Sequence, residues 1–277
     1  MVKEFKIGEK ILNLRKEKTV SIKKSVNLTK VAAFLIIILV AVAFSYQERE
    51  IPKKLDLKAG KVVFNSSRFQ SSIKSDKSLG TLAKEVSTIG EQAISFGFAA
   101  KSEEAKIFII GALYSEALAH LRSGKMDLAS KRLESIGQEF ININVPTSLF
   151  NYISNIANMV ETQRYSSDVI LEFLSLFQPF YEDYANSKGE DKLILFRAGS
   201  WLVDMSLTAA AQDKAMLKQL ETLNYFIKEM KRMDAPKGVL NSLDEILKIA
   251  DKEEKDITDK DVKDVLKLVK KIQTILG

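Results

Sequence analysis

Apolar residues recur at intervals of three and four along nearly all of the chain beyond Ser67, and strand-like alternation is scarce, so the pattern predicts helices. They fall near 68–87, 89–99, 102–122, 126–140, 147–162, 166–186, 190–211, 214–232, 236–250 and 259–276. The last is the best specified: Thr258 and Asp261 form a capping box, Ile257 can staple onto Val262, and Val262, Val265, Leu266, Val269, Ile272 and Leu276 make one apolar stripe. Connections as short as Ser123-Gly124-Lys125 and Gln212-Asp213 force neighbouring helices to lie antiparallel. Pro179 falls inside a predicted helix, removes one backbone donor and should kink or split it. The expected class is all-α.

One run departs from this amphipathic pattern. Val31 to Gln47 contains no charge and is dominated by Ile, Leu, Val, Ala and Phe. As a helix it spans about 25 Å against a hydrocarbon core of about 30 Å, and Lys30 can snorkel to the headgroups at its edge. A core helix seldom lacks a polar face for so long, so 31–47 is expected to cross a membrane. Ala41-Val42-Ala43 has the small-x-small form that signal peptidases cut after, which would leave Phe44 first. Its place inside the apolar run, and the thirty residues ahead of that run, favour a retained signal-anchor. The expected organisation is a basic tail at 1–30, a transmembrane helix at 31–47, a polar linker at 48–66 broken by Pro52, and a helical domain at 67–277.

Charge separates along the same boundaries. The chain has 42 Lys+Arg and 36 Asp+Glu, and residues 1–30 alone carry nine Lys/Arg and three Glu. The whole excess therefore sits in the tail, the body is neutral, and nucleic-acid binding is not expected of it. The tail, FKIGEKILNLRKEK, has Phe5, Ile7, Ile11, Leu12 and Leu14 as apolar members and too few following residues for a helix-turn-helix. Membrane lipid is therefore the expected partner of residues 1–47. Five Lys/Arg flank the apolar run on each side, in 16–30 and in 47–61. The further basic residues upstream, and the ease with which long domains are translocated, place the tail in the cytoplasm and the body in the periplasm.

Candidate chemistry is sparse. There is no Cys, and His120 is the only His, which removes disulfides, thiolate metal sites and cysteine nucleophiles. No phosphate loop, dinucleotide fingerprint, nucleophile elbow or H-E-x-x-H is present, and Ser71-Ser72-Ile73-Lys74 matches S-x-x-K without a companion K-T-G. Glu116 precedes His120 by four residues on one helix face, yet a di-metal site needs a second histidine. No catalytic, cofactor or metal residue is nominated. An enzyme built on two converging carboxylates, for instance a glycan hydrolase, is the alternative to a binding protein. A structural subunit that docks helix 259–276 onto a partner is a third reading.

The stretch YSEALAHLRSGKMDLASKRLESIGQEF resembles a tetratricopeptide (TPR) hairpin, with Ala117 and Ala129 at the small positions, Gly124 at the turn and Leu133 four residues on; His120 stands where an aromatic is usual. One period later, position 163 is Gln and no glycine turn precedes it. The resemblance covers about 34 residues and implies antiparallel hairpins stacked as a TPR-like array. An anchor followed by such an array is also similar to bacterial inner-membrane proteins that hold helical-repeat domains in the periplasm as chaperone or assembly partners. That likeness implies an adaptor at the cell envelope. Phe173, Phe177, Phe180 and Tyr184 recur at intervals of four, three and four with Tyr181 beside them, and Phe150, Tyr152 and Tyr165 lie upstream. Such a stripe is either core or a groove that anchors a partner protein.

Overall fold

The computed structural model describes residues 64–87 and 102–277. The run 31–47 expected to cross a membrane, the basic tail, the linker up to residue 63 and the helix expected over 89–99 lie outside the described residues. Among those described, every regular element is helical: α1 (Ser66–Ser72), α2 (Leu79–Val86), α3 (Glu103–Arg122), α4 (Met126–Asn142), α5 (Thr147–Thr162), α6 (Ser167–Lys188), α7 (Glu190–Ala211), α8 (Leu220–Arg232), α9 (Lys237–Ala250) and α10 (Asp259–Leu276), with a 3-10 turn at Glu254–Asp256. The single helix expected over 68–87 is two, separated by an extended Ile73 and a fresh cap at Ser78, whose hydroxyl accepts from the Thr81 amide. The helix expected from 214 begins at Leu220. Pro179 does not split its helix, which runs on to Lys188.

Two helices form the centre. Both α3 and α7 are apolar almost all the way round, and each is buried along most of its length, as helices surrounded by other helices must be. The α7 helix is long and apolar enough to cross a membrane, but 83% of its most apolar window is buried within the domain, which makes it a core helix. The pair run parallel: Lys192 near the start of α7 bonds Glu103 and Glu104 at the start of α3 (3.3 and 3.1 Å), and further along Ser115 meets Asp204. At the crossing the two backbones touch. A Cβ on Gly111 would overlap the Phe196 carbonyl oxygen, and one on Gly199 would overlap the Phe108 carbonyl oxygen.

That reciprocity extends into an internal repeat. Phe108, Gly111 and Glu116 of α3 stand 88 positions before Phe196, Gly199 and Asp204 of α7. The helix ends match as well: Gly124 and Gln212 both adopt positive φ (65° and 59°), and the amides of Lys125 and Asp213 both donate to the carbonyl five residues back. Across the next connection the spacing is 90. Asn144 and Asp234 have φ of 53° and 51°, the Val145 and Ala235 amides reach Phe140 and Met230, and Pro146 and Pro236 open α5 and α9. At a spacing of 92, buried Ile170, Phe177 and Tyr181 of α6 correspond to buried Val262, Val269 and Gln273 of α10. Residues 103–188 and 190–276 are thus two copies of one four-helix unit, joined through α3 and α7.

The α1–α2 segment straps both copies. The Lys74 amide donates to Asp213 at the end of α7 (2.7 Å), and the Gly80 amide donates to Ser123 at the end of α3 (2.6 Å).

Candidate partner-binding face

The aromatic stripe of α6 divides between the core and the surface. Phe177 and Tyr181 are fully buried; Tyr181 stacks on Phe140 at 5.4 Å, and Phe177 lies between Tyr114 and Phe140. As candidate partner contacts both are corrected by the structure, because they face α3 and α4 rather than solvent. Phe173 and Tyr184 are half-buried, and Phe180 is 37% exposed. The helical wheel explains the division. Ile170, Leu174, Phe177, Tyr181 and Ala185 form the buried face, while Val169, Phe173, Leu176 and Phe180, spaced by four, three and four, form a second apolar stripe turned about a quarter-circle away from it. Val169 is itself 37% exposed, and Tyr165, just before the helix, is 51% exposed.

This outer stripe is braced from α5. The Tyr152 ring packs edge-on against Phe180 at 5.8 Å, and its hydroxyl donates to the Phe173 carbonyl at 2.7 Å. Burial raises the Tyr152 hydroxyl above the ordinary phenol range, so it stays a donor. Along the solvent edge of the stripe run Asp168, Glu172 and Asp183, all exposed and none in an ion pair among the described residues. Glu182 points the other way, where Arg197 and Gln178 hold it (2.5 and 2.8 Å).

Polar chemistry lies inside the domain, away from this face. Asp204 is buried and accepts from Ser66 (2.7 Å), Gln70 (2.8 Å) and Ser115 (2.6 Å). Burial pushes its carboxyl up to about 7, against the pull of those three donors and of Arg122. At the matching position of the other copy, buried Glu116 accepts from Arg132 (2.5 Å) and Ser87 (2.9 Å), and burial raises it too. The sequence pairs Glu116 with His120, whereas the structure gives it Arg132. Among the described residues neither ring nitrogen of buried His120 finds a partner, and burial together with Arg132 lowers its pKa to about 4. Each buried acid ties α1 or the end of α2 to the central pair. No motif announces the Asp204 cluster, although a signal is present: Asp204 is the one charge between Ala198 and Ala211.

Among the described residues no cluster of His, Asp and Glu has the arrangement of a metal site. No protein-family model, curated protein or solved structure matches the chain.

Proposed function

We propose that the chain is a membrane-anchored helical scaffold that binds other proteins at the cell envelope through the outer face of α5 and α6, in a chaperone-like or complex-assembly role. The observation that carries this reading is the stripe Val169, Phe173, Leu176 and Phe180. It is apolar, braced by Tyr152 and open to solvent at Val169 and Phe180, on a domain whose buried Asp204 and Glu116 are committed to internal partners. In the same reading 31–47 is the retained anchor, the basic tail lies on the cytoplasmic lipid surface, and the helical domain stands in the periplasm. The α3–α4 hairpin, with buried Ala117 and Ala129 and its turn at Gly124, supports a TPR-like unit nested within the larger repeat.

The test is site-specific photocrosslinking in native membranes, with a crosslinking amino acid at Phe180 and, as the comparison, at Lys267 on α10. The scaffold reading expects discrete protein adducts at Phe180 that are absent at Lys267. The same diffuse adducts at both positions would remove α6 as the binding face.

A further inference from the structure

The two copies of the repeat treat the same helix differently, and the difference describes an occupant. On α10, the positions matching half-buried Phe173 and exposed Phe180 are Val265 and Ile272, and both are buried within the domain. The solvent side of α10 carries Lys260, Lys263, Lys267 and Lys271 interleaved with Asp259 and Asp264, the ordinary dress of a solvated helix. Between Ser167 and Ser187, α6 has no Lys or Arg at all. Its only charges there are Asp168, Glu172, Glu182 and Asp183, and three of these edge the apolar stripe.

Resting on the scaffold reading above, we propose that the α6 face receives one basic amphipathic helix of a partner protein. The stripe from Val169 to Phe180 rises about 16 Å along α6, which matches three turns of a docked helix bearing apolar residues at i, i+4, i+7 and i+11. Lys or Arg flanking that apolar line would meet Asp168, Glu172 and Asp183, which lack intramolecular ion pairs among the described residues. The Tyr152 brace holds Phe180 and Phe173 before the partner arrives, which lowers the ordering cost of docking. An anionic membrane surface does not fit this edge, because its headgroups would face three carboxylates.

The probe is a fluorescent Leu/Lys peptide with Leu at i, i+4, i+7 and i+11, titrated against the full chain in nonionic micelles, with its Leu/Glu counterpart as the charge control. Saturable binding of the Leu/Lys peptide alone is expected, weakened about tenfold or more by Phe180→Ala and by Glu172→Lys with Asp183→Lys, and unchanged by Lys267→Glu. Circular dichroism melts establish that each exposed-site variant is folded. Equal binding of both peptides, or no loss in the variants, overturns the proposal. So does concentration-dependent self-association abolished by Phe180→Ala, which would make the occupant a second copy. So does Phe180-dependent binding to phosphatidylglycerol vesicles. If Phe180 crosslinks to a protein while the Leu/Lys peptide fails to bind, this proposal falls and the scaffold reading stands; failure of both removes the face altogether.

Discussion

Gly111 and Gly199 face one another across the α3–α7 crossing, each placed so that a methyl group would run into the other helix's backbone, at the carbonyls of Phe196 and Phe108. Neither helix can retreat without opening the core that surrounds both. Gly111→Ala and Gly199→Ala are each expected to lower stability by about 3 kcal/mol or more. Gly124→Ala, at a φ of 65° with open space around the site, should cost only about 1 kcal/mol. Urea unfolding of the full chain in detergent measures all three. Equal losses would mean that the crossing is looser than its contacts indicate.

From α3 onward the helices are legible in the sequence because apolar periodicity is local, and α10 is legible down to its capping box: Thr258 and Asp261 cap it reciprocally, as their spacing implies. The break between α1 and α2 is not legible, because it depends on where Asp213 and Ser123, far along the chain, seize the Lys74 and Gly80 amides. The repeat is invisible at the TPR period because its spacing drifts from 88 to 92 and its identities are few. It survives in turn residues of positive φ, Gly with Gln and Asn with Asp, which mark shape rather than identity. The stripe is legible as aromatic, but only packing against Phe140 and Tyr114 decides that Phe177 faces in while Phe180 faces out.

The pH dependence of folding should conceal two opposed contributions. Asp204, raised to about 7 from 3.8, keeps its proton in the native state where the unfolded chain loses it, so its stabilising contribution declines as pH rises from about 4 to about 7. His120, lowered to about 4 from 6.5, stays neutral in the native state where the unfolded chain takes a proton, so its contribution declines as pH falls from about 6.5 to about 4. Melting temperatures of Asp204→Asn, relative to the parent chain, should therefore rise with pH across that window. Those of His120→Gln should fall. Differences that stay constant with pH would show that neither group titrates in its buried setting.

The α6 stripe should split by residue. Phe177→Ala empties a fully buried aromatic site and should cost about 3–5 kcal/mol, a large fraction of an ordinary domain's stability. Tyr184 is half-buried beside Tyr181 and Lys188, so Tyr184→Ala should cost about 1 kcal/mol. Thermal melts followed by far-ultraviolet circular dichroism give both values. A small loss for Phe177→Ala would mean that the α4–α6 contact is not part of the cooperative core.

Membrane attachment and sidedness can be tested independently of any partner. The uncharged run 31–47 and its basic lead-in predict that the full chain resists carbonate extraction and needs detergent, whereas a chain beginning at Glu48 should be soluble and helical. Recovery of native protein with Phe44 as its first residue would instead identify the run as a cleaved signal. Sidedness follows from the upstream basic excess, since five Lys/Arg flank the run on each side. A reporter active solely in the cytoplasm, fused after Gly277, should therefore be silent, and one active solely in the periplasm should work. An active cytoplasmic fusion would reverse the orientation and bring the α6 face to the same side of the membrane as cytoplasmic partners. The apolar stripe with its acidic edge, and the basic amphipathic helix proposed for it, would be unaffected, since both follow from the surface of α6 and not from the compartment it faces.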